Sequence, residues 1–290
     1  TKVAAKLARL LDAEVISADS RQVYRKMDIG SGKDLDEFQI EGKQIPYHLI
    51  DIKDAGATYD VFNFQQDFYA CLETIRDRSS LPILCGGTGL YLEAAISKHK
   101  YLKVPEDRDL RSALKHKTDE ALQKELQSLV NHLHNTTDLK DRDRMIRAIE
   151  IASYKESHDA ELSPLEGYCL YGIRMEREGL RQRIKERLDH RLQNGLIEEV
   201  EALMESGISE ERLFYYGLEY RYLALYLSGK MEYEEMYAKL LQGIRRFAKK
   251  QMSWFRRMEK QGEEIRWFDA NLGAESISAM IKKDYEQKAV

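Results

Sequence analysis

The sequence predicts an α/β protein, a parallel sheet flanked by helices and interrupted by an inserted all-helical segment. Three observations carry this. Short apolar runs alternate with helical patterns over the first hundred residues and again beyond residue 167, and a glycine turn follows one of the strand-like runs. Between Pro105 and Pro164, two of only 4 prolines, the chain is polar and helical in pattern. At 290 residues, 43% hydrophobic and 33% charged, it is long enough for two domains and unlike a disordered, collagenous or disulfide-stapled protein.

Taken in order, residues 1–11 place Val3, Ala4, Leu7, Ala8, Leu10 and Leu11 at helical spacing, and 13–18 (AEVISA) read as a short buried strand. Residues 48–52 (HLIDI) read as a second strand, 59–78 as an amphipathic helix, and 81–85 (LPILC) as a buried strand opened by Pro82. Strands that alternate with helices pair in parallel. Gly86-Gly87-Thr88-Gly89 then leads into a helix over 90–96, a turn that offers free N–H groups to an anion or serves simply as a tight connection. The insertion holds helical patterns at 121–133 and 142–154. Strand character returns at 168–175 and briefly at 265–268, while 180–203, 215–227, 233–258 and 273–285 read as helices. This divides the chain into a core of residues 1–103 and 167–290 and an inserted helical domain of 104–166.

The net charge of −4 argues against a general polyanion binder, but it conceals a local excess. Residues 242–260 carry Arg245, Arg246, Lys249, Lys250, Arg256, Arg257 and Lys260 against Glu259 alone. A stripe of this kind binds phosphates, or is a solvated helix face. No run approaches the 18 or so apolar residues of a membrane span, and no membrane partner is expected. Cys71, Cys85 and Cys169, odd in number and set in apolar surroundings, read as reduced buried thiols of a cytoplasmic protein. His132 and His134 read as solvated imidazoles, not as a metal pair.

Asp19 directly follows the AEVISA strand, at the edge where a parallel sheet meets its ligands, so it is a candidate general base or magnesium partner; the alternative is an Asp that caps the next turn. Thr1 heads an amphipathic helix that runs straight into a strand, the place where P-loop proteins carry Lys-[Ser/Thr]. The natural chain is accordingly expected to continue upstream through the rest of such a loop. Arg183 and Arg187 are candidate phosphate ligands or surface charges.

Four blocks, ISADSRQVYRKMDIGSGK (16–33), LCGGTGLYLEA (84–94), DRDRMIRAIEI (141–151) and RRFAKKQMSWFR (245–256), occur in the order found in tRNA dimethylallyltransferases. The sequence resembles that family over nearly its whole length. The resemblance implies a P-loop NTPase-like core that binds dimethylallyl diphosphate instead of ATP, uses Mg2+, and transfers the dimethylallyl group to N6 of adenine 37 in the anticodon stem-loop of tRNA. It makes Asp19 the acceptor of the N6 proton and Thr88 its catalytic companion, with Thr1 and Asp19 near the metal. Thr1, Gly86, Gly87 and Thr88, with Arg183 and Arg187, would hold the diphosphate. Ser20, Arg21 and Gln22 would continue the adenosine block, and Arg111, Asp143, Arg144, Met145, Ile146 and Arg147 would grip the anticodon arm.

The segment Lys249, Lys250, Gln251, Trp254 and Arg256 fits the family's Lys-Arg-Gln-x-x-Trp-x-Arg element, read here as phosphate contacts (with Arg245) beside an aromatic ring on one side of a helix. Two departures stand out. Asp143 replaces a usual Gln, and 214–220 (FYYGLEY) keeps Gly217 but puts Glu219 where the family usually carries a basic residue, with tyrosines that either stack on a base or pack. Rival readings are a P-loop small-molecule kinase, an adenylate prenyltransferase, or a degenerate tRNA-binding protein. A monomer is expected.

Overall fold

The computed structural model describes residues 1–97, 100–129, 141–157 and 165–288; His132 and His134 lie outside them. The chain forms two compact units, Thr1–Ile96 with Leu165–Val290, and Ser97–Pro164.

In the first unit, helix α1 (Lys2–Leu11) buries its Ala4, Ala5, Leu7 and Ala8 stripe, and Asp12 turns the chain in the left-handed region (φ 50°). Strand β1 (Ala13–Ser17) follows, buried at every position. That is why its pattern does not alternate; even Glu14 is buried there, paired with His48 and Arg78. After a small antiparallel ribbon of β2 (Gln39–Ile40) and β3 (Lys43–Gln44), β4 (Tyr47–His48) joins one side of β1 in parallel. The strand predicted over 48–52 ends there, because Leu49 (φ 60°) and Asp51 (φ 56°) turn the backbone out of the sheet. Leu49 and Ile50 are apolar because they are buried, not because they pair.

Helix α2 (Val61–Asp77) starts at a reciprocal cap: the Asp60 carboxylate accepts the Asn63 N–H at 3.0 Å and the Asn63 side chain accepts the Asp60 N–H at 3.3 Å. Strand β5 (Leu81–Cys85) then pairs with the other side of β1 in parallel, Ser17 opposite Cys85. Helix α3 (Gly89–Ile96) packs on α2 through stacked rings of Phe64 and Tyr91, 4.1 Å apart.

The insertion is an independent cluster. Helices α4 (Arg108–Lys115), α5 (Asp119–Leu129) and α6 (Arg142–Ser157) close on Leu114, Leu122, Leu126, Met145, Ile146 and Ile149. Met145 and Ile146, expected to meet RNA, are core side chains 1% and 8% exposed. At their back Glu150, 2% exposed, accepts two hydrogen bonds from Arg111 (3.0 Å each), one from the Asp107 N–H and one from Arg147. Burial would raise its carboxyl, but Arg111, Arg147 and the Asp107 N–H outweigh that and hold it at about 2.

The chain returns as β6 (Leu170–Arg174), helices α7 (Arg177–Gln193), α8 (Leu196–Glu205), α9 (Glu210–Tyr216), α10 (Leu218–Leu227) and the 28-residue α11 (Tyr233–Lys260), then β7 (Ile265–Asp269) and α12 (Gly273–Lys288). β6 and β7 pair in parallel as a second sheet, so among the described residues the parallel structure comes in two pieces. Helix α12 seats Ile277 and Ile281 against Leu7 and Phe268. The helix predicted over 180–203 breaks at Gly195 (φ 99°), and that over 215–227 breaks at Gly217 (φ 128°). Only glycine adopts such angles freely, and the second break presents Glu219 at the start of α10.

Candidate active site at the strand ends

Because β1 and β5 run side by side in register, their C-terminal ends emerge together. The Ala18 N–H donates to the Cys85 carbonyl at 2.8 Å, the Thr88 N–H to the Ala18 carbonyl at 3.3 Å, and the Ser20 N–H to Thr88 Oγ1 at 3.2 Å. The approach is close enough to require Gly86, since a Cβ there would lie 2.2 Å from the Ala18 carbonyl oxygen. Asp19 and Thr88 therefore share one edge. Helix α1 runs back alongside β1, and about 15 Å of helix against about 17 Å of strand returns Thr1 to that same edge. Its hydroxyl makes no capping hydrogen bond.

Asp19 is half-buried and its Oδ1 accepts the Arg21 N–H at 2.8 Å. Burial raises its carboxyl above the ordinary aspartate range, against the opposing pull of the Arg21 and Gln22 N–H groups and the charges of Arg21 and Arg187. A carboxylate made more basic in this way suits proton acceptance. Gln22 is occupied as a brace: it accepts from Ser17 Oγ at 2.9 Å and donates to the Gly32 carbonyl at 3.0 Å.

The 214–220 segment closes a second side. Tyr216 and Tyr220 are core residues, 0% and 1% exposed, whereas Tyr215 is 39% exposed with the guanidinium groups of Arg21 and Arg212 at 5.3 and 4.7 Å from its ring centre. Two of these tyrosines pack, and the third meets cations at the rim.

Helix α11 supplies the third side. Gln251 Nε2 donates to the Gly87 carbonyl at 2.8 Å, and the Trp254 ring lies 2.4 Å from where a Cβ on Gly89 would sit, with Arg257 4.0 Å over its face. Trp254 is thus a strut under the glycine turn. It does not share a side with Arg245, Lys249 and Arg256, because nine residues beyond Arg245 is two and a half turns at about 3.6 residues each. Arg245, Lys249, Lys250 and Arg256 form the exposed outer face.

Arg183 and Arg187 on α7 are both exposed, but only Arg187 is drawn in, its charge felt at Asp19. In the inserted unit Arg111 and Arg147 are committed to Glu150, while Asp143 and Arg144 are exposed.

Sequence reasoning missed four residues. Glu199 accepts the N–H groups of Asp28 and Ile29 at 2.7 Å, that of Gly30 at 3.0 Å and the Tyr220 hydroxyl at 2.9 Å, so it fixes the DIGSGK loop. Lys33, 1% exposed, ties that loop to Asp51 and the Tyr24 carbonyl. Arg191 is buried beneath the same loop. Phe247, 50% exposed, projects from the Trp254 side of α11 and looks like a core position in the sequence. The small residues of DIGSGK were the available signal for a half-buried carboxylate, since consecutive N–H groups form an anion nest.

Among the described residues no group of three or more His, Cys, Asp and Glu could hold a metal. The donors at this edge are hard oxygens, the Asp19 carboxylate and threonine hydroxyls. That set fits a Mg2+ ion that draws its other ligands from phosphate and water.

The chain matches a family model described as IPP transferase over residues 22–258. It is 51% identical over 274 residues to tRNA dimethylallyltransferase 1 of Syntrophus aciditrophicus, covering 93% of this chain and 90% of that one. It is 47% identical over 289 residues to tRNA dimethylallyltransferase 2 of Bacteroides fragilis, covering 99% and 94%. Among solved structures it resembles a full-length tRNA isopentenylpyrophosphate transferase from Bacillus halodurans with a TM-score of 0.69 and 32% identity, covering 99% of this chain and 93% of that one. A eukaryotic dimethylallyltransferase acting on tRNA, 22% identical, shares the fold with a TM-score of 0.77, covering 99% and 76%.

Proposed function

Because the chain belongs to the IPP transferase family and is a tRNA-modifying prenyltransferase, we propose that it moves the dimethylallyl group of dimethylallyl diphosphate onto N6 of adenine 37 in the anticodon stem-loop. The observation that carries this is Asp19, a carboxylate made more basic by burial, at the strand edge it shares with Thr88 and the Gly86-Gly87 turn, where Thr88 Oγ1 accepts the Ser20 N–H. The allylic C1–O bond breaks and its electron pair leaves with the diphosphate. N6 attacks C1, and the N6 proton passes to the Asp19 carboxylate. An allylic carbon bears positive charge well, so the protein's work is to orient both partners and neutralise phosphate oxygens.

N6 reaches a buried carbon only if the adenine leaves its stack, at a cost of roughly a few kcal/mol in a single-stranded loop. Arg21, Tyr215 and the α11 turn contacts would frame the space it enters. Thr1, Gly86, Gly87, Thr88 and Arg187 would face the diphosphate. Thr1 and Asp19 would hold Mg2+, which screens the diphosphate charge when bound. The exposed α11 arginines and lysines, with Arg144, would meet tRNA phosphates.

The rival small-molecule kinase has no use for the basic face of α11, and a binder without catalysis has none for Asp19 beside Thr88. Incubation with unmodified tRNA, Mg2+ and dimethylallyl diphosphate, followed by nucleoside mass analysis, tests the proposal. One dimethylallyl unit on adenine 37 is expected. Modification of another nucleoside, or of free AMP in preference to tRNA, would overturn it.

A further inference from the structure

Arg191 is the buried charge that the scheme above leaves without a task. It lies one turn after Arg187 on α7, is only 8% exposed, and its Nη2 has no hydrogen-bond partner. The guanidinium fills the space above Gly32, where a Cβ would lie 1.9 Å from Arg191 Nη2 and 3.4 Å from Arg187 Nη2. Two guanidinium groups therefore converge on one small volume. Burial and the neighbouring Arg187 both weaken the proton affinity of Arg191, while Glu219 and Asp34 answer its charge only from a distance. A buried donor left open beside a second cation is unfavourable by itself, and a polyanion that accepts from both groups relieves it.

We propose that Arg191 is a second guanidinium of the diphosphate subsite, donating from Nη2 to an oxygen of the leaving diphosphate alongside Arg187, with Gly32 as the residue that makes room for it. This rests on the reading of a diphosphate-releasing reaction at Asp19. Depth favours the diphosphate over an RNA backbone phosphate: Arg191 is buried, whereas the basic residues of α11 that suit RNA lie on the surface. As C1–O breaks, negative charge gathers on the diphosphate oxygens, and a preorganised guanidinium stabilises it. Glu219 gains a role as well. Standing where the family usually carries a basic residue, it is, with Asp34, one of two carboxylates whose charge reaches Arg191 from a distance, so the positive charge at this spot comes from α7 and not from α10.

The test is calorimetric binding of inorganic diphosphate to the full chain, run beside anticodon stem-loop binding and dimethylallyl transfer. Arg191→Met is expected to weaken diphosphate roughly tenfold or more and to leave stem-loop affinity within about twofold. Arg191→Lys should recover part of the loss, since it restores charge without the fork. Gly32→Ala keeps Arg191 but fills its seat, and should weaken diphosphate similarly, which gives the answer if Arg191→Met fails to fold. Unchanged diphosphate affinity in Arg191→Met or Gly32→Ala melting at the parent temperature overturns the proposal, as does a loss confined to stem-loop binding. Absence of transfer by the parent chain, with diphosphate binding still dependent on Arg191, would overturn the proposed function and not the subsite.

Discussion

At the scale of single residues the chemistry turns on how two carboxylates are held. Asp19 is raised by burial, so its ionised, proton-accepting form is lost as pH falls through a value above the ordinary 3.8. The rate of dimethylallyl transfer should therefore fall on acidification in a limb that disappears in Asp19→Asn. Asp19→Ala should cut the rate by about 100-fold or more with stem-loop affinity nearly intact; equal loss of both would make Asp19 a binding residue. Glu150 is the opposite case. Its folded value of about 2 lies below the ordinary 4.5, so the stability it contributes is full above about pH 4.5 and is lost as pH falls towards 2. Glu150→Gln should cost the inserted unit about 3 kcal/mol, read as faster amide exchange in α4 to α6 with the α1 and β1 amides unaffected.

Among the elements, the β1–β5 pair and helix α11 build the site jointly. Gly86→Ala would drive a Cβ into the Ala18 carbonyl and force the strand ends apart. A stability loss of about 1–3 kcal/mol is expected, with a larger fractional loss of transfer than of stem-loop binding, because the Thr88–Ser20 contact opens first. The glycine turn and the Asp after a strand were legible in the sequence, since both sit at strand ends whose apolar runs are unmistakable. The helix breaks at Gly195 and Gly217 were not, because an isolated glycine inside a helical pattern is usually tolerated and only the packing around it selects a positive φ. The side that Trp254 faces was legible but misread, since nine residues from Arg245 is half a turn out of phase.

For the molecule as a whole, the acidic body and the basic outer face of α11 predict RNA binding that weakens steeply with salt. Lys249→Ala combined with Arg256→Ala should lower the slope of log K against log salt by about 1.5–2 and leave the rate with saturating stem-loop close to the parent. An unchanged slope would make the stripe a solvated helix face. The alternating pattern predicted one parallel sheet, and the described chain carries two parallel pieces. Apolar periodicity identifies strands but does not say which strands are neighbours.

What the sequence determined by itself was set by local chemistry: the α/β class from period and alternation, the Asp19 and Thr88 positions from strand ends, the family from four ordered blocks, and the basic stripe from charge counting. Tertiary structure decided everything that depends on what a side chain meets. It placed Met145 and Ile146 in a core, spent Arg111 and Arg147 on Glu150, turned Gln22 and Trp254 into braces, and left Arg191 buried over Gly32 with a donor open. The reason is physical. Periodicity and spacing are properties of neighbours along the chain, whereas burial, desolvation and hydrogen-bond partnership arise between residues far apart in sequence and exist only once the chain has folded.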